Sequence, residues 1–420
     1  MGNEIRSVKG TRDLLPPESA VWAAVEDRAR RVFSLFGYQE IRTPILENTE
    51  LFVRSVGEST DIVGKEMYSF KDRKGRSLSM RPESTASVVR AFVQHGLRTQ
   101  SMPVKLFYTG PHFRYERPQK GRYRQFHQIG AELIGDPGPE SDAELLAMLV
   151  RFLEELGFGD LTVLLHTVGD EETRADYRKQ LQAFFEPHRK QLSADSQRRL
   201  DENPLRILDS KDSADLEILR DAPRLEDHLN VPSREHFEGV RGALQQLGVP
   251  FEVAPGLVRG LDYYTHTVFE IVSKGLGSQN AIVGGGRYDR LVANLGGPDL
   301  PAIGFAIGQD RLIEVLPASF RDEVALPLPV VVVVIEPVST VDGMRLANEL
   351  RGAGISAISE FKGGSVRSAL KRADRRGSRW VLLVGEDEQK ADTVMCRDME
   401  QGTQQAIARQ EVAARLREMA

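Results

Sequence analysis

The stretch 113–132, FRYERPQKGRYRQFHQIGAE, constrains the fold more than any other part of this chain. Polar and apolar residues alternate with period two on both sides of a basic middle, which predicts two strands joined by a long loop. On the first arm Arg114 and Glu116 share a face, with Phe113 and Tyr115 on the other. On the second arm Arg124, Phe126, Gln128 and Glu132 share a face, opposite His127, Ile129, Ala131 and Leu133. With the polar rows aligned, one sheet surface collects arginines, carboxylates, an amide and an aromatic ring. Such groups are costly to bury unpaired, so the row either faces water or grips a polar ligand. The loop 117–122 holds Pro118, Gly121 and the cations Arg117, Lys120 and Arg122, which suits a phosphate-rich partner. A solvated charged hairpin fits the same pattern.

Other stretches narrow the choice. Upstream of 113–132, a helix is expected from about Ser19 to Phe36, closed by Gly37. The run YQEIRTPILENTELF after it reads as a strand, and Pro44, lacking an amide hydrogen, belongs at an edge or bulge. In LSMRPEST, 78–85, Glu83 and Thr85 place a carboxylate and a hydroxyl two residues apart, able to clamp an ammonium group. The same residues at a helix start also fit simple capping. The segment 258–271, VRGLDYYTHTVFEI, reads as a strand entered through Gly260, with Arg259 and the pair Tyr263–Tyr264 standing out. Tyrosines there serve either as core with a wet hydroxyl or as ligand contacts. IVGGGRYD, ending at Asp289, suits a strand–glycine–helix anion site, or a place where backbone approaches a flat ring closely.

Between these lies 171–250, dense in Arg, Glu, Asp and Gln and punctuated by prolines 187, 204, 223 and 232, which reads as a helical insertion. Its run NPLRILDSK, 203–211, has no role that the sequence assigns. After Pro327-Leu328-Pro329, read as a linker, strands and helices alternate: VVVVVI, a helix near 341–352, ISAIS, a helix near 365–376, WVLLV and VMCR. That order predicts a small α/β domain with a largely parallel sheet. Residues 362–379 hold seven basic side chains and one acid, Asp374. Arg367, Lys371 and Arg375 recur every fourth residue as a cationic stripe, with Ser365 as cap and Val366, Ala369, Leu370 and Ala373 turned inward.

Composition excludes several classes. At 420 residues the chain is long enough for two or three cores. Its longest apolar run, 330–335, is too short to span a bilayer, and MGNEIRSVKG lacks a signal peptide's apolar centre. A lone Cys396 permits no internal disulfide and no cysteine cluster for a metal. A cytoplasmic setting without a membrane follows as the expectation. The net charge of −5 confines any RNA contact to local basic patches.

FRYERPQKGRYRQF resembles the second signature of class II aminoacyl-tRNA synthetases, with Arg114, Glu116, Arg122 and Phe126 at the matching positions. YQEIRTPILENTELF resembles the first signature and AIGFAIGQDRL, 302–312, the third, carrying Arg311. RGLDYYT and GGGRYD together are similar to the segments that set histidyl enzymes apart, so the chain resembles the histidyl-tRNA synthetase family. The resemblance implies an α+β fold, an antiparallel catalytic sheet flanked by helices. That domain would span 1–325 with an insertion at about 171–250, and an α/β anticodon-binding domain 330–420. It implies two reactions, ATP-dependent activation of L-histidine to histidyl-adenylate and transfer to tRNA(His), in a homodimer that packs through the first signature.

Residue by residue, the resemblance implies Arg114 and Arg259 at the α-phosphate and carboxylate oxygens and Arg311 at the γ-phosphate. Phe126 would stack on adenine, and Glu116 would touch the nucleotide or the Mg2+ that accompanies ATP. For histidine, the run Glu83, Ser84 (commonly glycine in the family) and Thr85 joins Gln128 around the α-ammonium. Glu132 and Tyr264 would address the imidazole nitrogens, with Tyr263 in support. Arg117, Gln119, Lys120 and Arg122, and the stripe Arg367, Lys371 and Arg375, would meet tRNA. No protein-only metal site is expected, and no side chain stands out as base for acyl transfer. The alternatives are a histidine-sensing regulatory subunit of ATP phosphoribosyltransferase, which the ERPQKGR loop and the domain after Pro329 argue against, and another class II synthetase, which RGLDYY and GGGRYD argue against.

Overall fold

The computed structural model describes residues 4–57, 60, 62–99, 101–117, 121–257, 263–273, 281–324, 328–361 and 365–419. The chain divides into two compact units, Met1–Val324 and Ala325–Ala420. Among the described residues, an eight-stranded sheet carries the first unit. Its strands run, edge to edge, Gln39–Glu40, Val104–Phe113, Gln125–Ile134, Ala302–Gly308, Ala281–Arg287, Thr265–Ser273, Leu161–Thr167 and Phe251–Val253. The outermost pair on each side is parallel and the rest are antiparallel.

The hairpin pairs from Val104↔Ile134 to Phe113↔Gln125. Its first strand ends at Phe113, so Arg114 and Glu116 lie beyond the ladder in the connection rather than along one strand face. On the second strand the alternation holds. Ile129, Ala131 and Leu133 are fully buried on one face, beneath helices Glu18–Leu35, Pro139–Glu155, Val231–Gln246 and Gln309–Val315. Each helix contributes an apolar stripe, as in Trp22, Val25, Ala29, Val32 and Phe33 of the first. Burying one such large side chain contributes roughly 1.5–3 kcal/mol. Gly37 stops that helix at φ +81°, giving its N–H to Ser34 O at 3.0 Å. The opposite face carries Gln128, Glu132 and Ile134, and packs in part against helix Thr85–Gln94 through Val88, Val89, Phe92 and Tyr108.

Three expectations change. The run around Pro44 is not one strand: Gln39–Glu40 edges the large sheet, and Leu46–Asn48 joins a separate three-stranded sheet with Ser77–Met80 and Ser69–Lys71. Pro44 sits in the break, where it forfeits no ladder bond. The insertion has its own core around Tyr177, Leu181, Phe185, Ile207 and Leu225, but helix Val231–Gln246 places Phe237, Val240 and Leu244 in the main core. By packing, that helix goes with the sheet, though the sequence grouped it with 171–250. NPLRILDSK gains a physical role here: Ile207 fills the insertion core, and Ser210 Oγ donates to Asp215, a carboxylate that also accepts from Ser193 and Ser196.

In the second unit the sheet order is Ala357–Ser359, Val330–Val334, Trp380–Val384, Thr393–Asp398, Gln404–Ala408. The first three strands pair in parallel, and the two later pairings are antiparallel. The link after Trp380–Val384 holds just the short helix Glu386–Lys390, too little chain for the crossover a parallel partner needs.

Candidate active site

The cavity face of the sheet is floored by residues with little or no side chain. Across three adjacent strands, Glu132 pairs with Gly304 and Gly304 with Gly286; in the next row Gly130 pairs with Ala306 and Ala306 with Gly284. The glycines are required by what lies on them. A Cβ on Gly286 would sit 2.8 Å from the Tyr264 ring, and one on Gly304 would strike the Glu132 carboxylate. Backbone thus does approach a flat ring closely, and that ring is the protein's own. The three glycines of GGGRYD lie inside strand Ala281–Arg287 and do not open onto a helix as an anion site would.

A cavity of about 250 Å³ opens over this floor, lined by Ile62, Glu83, Thr85, Tyr108, Arg114, Gln128, Tyr263, Tyr264, Gly284, Tyr288, Gly304, Phe305 and Ala306. Glu83, Thr85, Gln128, Tyr263, Tyr264 and Arg114 are therefore brought together as the sequence predicts. Glu83 accepts from the Ala86 N–H at 3.0 Å, so it caps the helix and lines the cavity at once. Burial raises its pKa, with the Ala86 and Thr85 amides pulling the other way. Gln128 Oε1 is buried with no hydrogen-bond partner among the described residues. The Tyr263 and Tyr264 rings stand 4.8 Å apart, and Tyr263 meets the edge of Tyr288 at 5.5 Å.

Glu132 is wholly buried at the floor. Its Oε1 accepts from Thr85 Oγ1 at 2.7 Å, and its Oε2 accepts from the Tyr288 hydroxyl. Burial pushes the carboxyl up to about 8, against the pull of the Tyr288 and Thr85 hydroxyls. Glu132 is not itself among the lining residues; Thr85 and Tyr288, which donate to it, are. Ser84 is likewise wholly buried, with Oγ 2.7 Å from His112 Nε2, and does not line the cavity. Tyr288 and Tyr108 line it without having been singled out. Tyr288 stood inside the quoted GGGRYD, but nothing local marks its hydroxyl as aimed at a residue 156 positions away.

Towards the connection of the hairpin, Arg114 Nε donates to Pro82 O at 2.9 Å and its guanidinium lies 5.2 Å over the Phe126 ring. Glu116 sits between Arg114 at 3.9 Å and Arg122 at 3.5 Å. One edge of the cavity is thus cationic, with an aromatic platform and a carboxylate beside it. Arg117 and Arg122 are exposed. Arg311 is on helix Gln309–Val315 and is not among the lining residues. Arg259, Gln119 and Lys120 lie outside the described residues, as do 258–262 of the RGLDYY run.

In the second unit, Ser365 accepts from the Ser368 N–H and caps helix Val366–Arg375, and Ala369 and Ala373 are buried. Arg367, Lys371 and Arg375 are exposed, and none pairs with an acid among the described residues. Their neighbours Arg372 and Arg376 are spent on Glu360, at 3.3 and 2.9 Å.

Comparison with known proteins gives a consistent family. A model described as histidyl-tRNA synthetase matches residues 10–312, and one described as anticodon binding domain matches 329–419. The histidine–tRNA ligase of Thermosynechococcus vestitus is 47% identical over 414 residues, covering 97% of this chain and 95% of the relative. The histidyl-tRNA synthetase of S. aureus superposes with a TM-score of 0.82 at 34% identity, over 98% of this chain and 99% of that one. A Bacillus halodurans structure named as an ATP phosphoribosyltransferase regulatory subunit/histidyl-tRNA synthetase reaches a TM-score of 0.66 at 24% identity, over 92% and 99%, and shares the fold.

Proposed function

The chain belongs to the histidyl-tRNA synthetase family, and from that premise we propose that the cavity under Tyr263 and Tyr264 is where histidine is bound and activated. The reaction is that of a histidine–tRNA ligase, joining L-histidine to tRNA at the expense of ATP. The observation that carries the residue assignments is the ring of polar groups over the glycine floor. Thr85, Gln128, Tyr264 and Tyr288, the last bonded to Glu132 behind it, surround one cavity, and Arg114 stands at its edge.

In this reading Glu83, Thr85 and Gln128 hold the α-ammonium, the open acceptor of Gln128 being one receptor for it. Tyr264 and the Tyr288–Glu132 pair address the imidazole. A substrate lacking ring nitrogens leaves these buried groups unpaired, which is a sharp filter. The histidine carboxylate attacks the α-phosphate in line, and negative charge builds there. Arg114 and Arg259 stabilise it as preorganised donors, with Arg311 at the γ-phosphate and Phe126 under adenine. ATP enters with its Mg2+. Glu116 is the carboxylate we assign to the nucleotide or its ion; Mg2+ bound mainly by phosphates needs few protein ligands.

We assign tRNA(His) to the exposed stripe of the second unit and to the basic loop 117–122. A second copy of the chain is assigned to the first-signature region, where Ile45, Leu46 and Phe70 are 41%, 47% and 45% exposed. The setting we propose is the cytoplasm; among the described residues no helix is long and apolar enough to cross a membrane. A purely regulatory subunit fits less well, since the anticodon-binding unit and the Arg114–Glu116–Phe126 group are all present. Pyrophosphate exchange with each of the twenty amino acids tests the activity. Histidine alone should support it; exchange with another amino acid, or with none, overturns the reading.

A further inference from the structure

Arg287 and Asp142 form an ion pair in the interior of the catalytic unit, 1% and 0% exposed. The guanidinium is saturated: Nη2 meets Asp142 Oδ1 at 2.5 Å and Nε the same carboxylate at 3.1 Å. It also reaches the carbonyls of Asp136 and Gly138 at 3.0 and 3.2 Å. Asp142 in turn accepts from Thr267 Oγ1 at 2.6 Å and lies 2.9 Å from His236 Nε2. Burial raises the pKa of Asp142, but the Arg287 charge and the His236 hydrogen bond outweigh it and hold the carboxyl ionised. Replacing such a pair by apolar side chains is often neutral for stability, so stability alone is a weak reason for its presence.

Its place in the fold supplies a better one. The ladder between Ala281–Arg287 and Thr265–Ser273 slips between Gly286 and Arg287, a bulge of the kind that re-aims the side chains after it. Tyr288 follows at once, and its hydroxyl crosses to Glu132, ten residues before Asp142 along the chain. Arg287 therefore fastens the bulge to the corner where strand Gln125–Ile134 leads into helix Pro139–Glu155, and Tyr288 closes the same ring. We propose that Arg287 and Asp142 are positioning residues for the amino-acid site: their pairing sets the point from which Tyr288 reaches Glu132, and so how well the site holds histidine. The proposal rests on reading the cavity as the histidine site.

The experiment is a double-mutant cycle on the full-length protein, with Arg287→Lys, Tyr288→Phe and the double variant, read as KM for histidine and for ATP in pyrophosphate exchange. Lysine keeps the charge but loses the planar fork. Arg287→Lys should raise the histidine KM on the order of tenfold and leave the ATP KM nearly unchanged. Most of that rise should vanish in the Tyr288→Phe background, since residues that act through one another are not additive. Additive effects, or equal damage to both substrates, overturn the clamp. If Tyr288→Phe by itself leaves the histidine KM unchanged, the site assignment fails instead. Thr267→Val, which removes one hydroxyl from Asp142, gives a milder version should Arg287→Lys not fold. A shift in the histidine KM alone supports the clamp, and lost thermal stability with both KM values intact overturns it.

Discussion

Tyr288 and Glu132 meet across a strand that belongs to neither of them. Tyr288 follows strand Ala281–Arg287, Glu132 lies on Gln125–Ile134, and Ala302–Gly308 runs between the two. The hydroxyl spans that strand over Gly304, whose missing side chain leaves the passage the two groups use.

Gly304→Ala should close that passage. The new methyl falls on the Glu132 carboxylate, and overpacking a core typically costs about 1–3 kcal/mol. The histidine KM should rise at least about tenfold, the factor equivalent to 1.4 kcal/mol, with a smaller change for ATP. Exchange kinetics together with a thermal melt decide it; an unchanged histidine KM in a folded variant would show that the crossing is dispensable.

Glu132 gives a pH signature. Its carboxyl is shifted from 4.5 to about 8, mainly by burial. A carboxyl raised in the folded state binds its proton more tightly there, so its contribution favours the fold at low pH and is lost as pH rises from about 4.5 through about 8. Glu132→Gln does not titrate. Its Tm relative to the unmodified protein should climb between about pH 4.5 and about pH 8 and level off above, while its histidine KM rises more than its ATP KM. A flat Tm difference would place the carboxyl in an ordinary environment.

Arg114→Ala should fold, because this side chain makes one backbone hydrogen bond, a cation–π contact and a long ion pair with Glu116 at 3.9 Å, and fills no core. Losing a preorganised donor costs a reaction on the order of a hundred- to a thousand-fold. Histidine-dependent exchange should fall by that amount with little change in histidine affinity measured by calorimetry. Full exchange activity would remove Arg114 from the transition state.

Changing Arg367, Lys371 and Arg375 together to alanine should weaken tRNA binding and flatten its dependence on salt. Every cation that no longer neutralises a phosphate takes about 0.7–0.9 from the slope of log K against log salt. Exchange without tRNA should stay intact. Affinity at several salt concentrations is the measurement, and an unaltered slope would make the stripe a solvated face.

Much of this was legible in order along the chain. Period two set Gln128 and Glu132 on one face, and the Ser365 cap with its four-residue stripe reads directly from spacing. Legibility ends where a contact depends on strand order. Tyr288 to Glu132 and Arg287 to Asp142 join residues about 150 positions apart, through strands that are not neighbours in sequence. Ser84 was grouped with Glu83 and Thr85, which line the cavity, yet its hydroxyl turns onto His112. The second unit's sheet was misjudged for a simpler reason. Strand patterns show where strands are, and only the length of the link shows that Thr393–Asp398 must return antiparallel.

The glycine floor bears on how such a site could be re-engineered. A pocket walled by large side chains is widened by trimming them, but glycine has nothing left to trim. Gly284 and Gly304 line the cavity, and a Cβ on Gly304 would already strike the Glu132 carboxylate. Bulkier histidine analogues would have to be admitted sideways, by cutting back Tyr263, Tyr264 or Tyr288 at the walls. On the proposed assignment, each of those cuts also removes a group from the site that holds histidine. On that assignment a broader substrate range and retained discrimination pull against each other at these three walls.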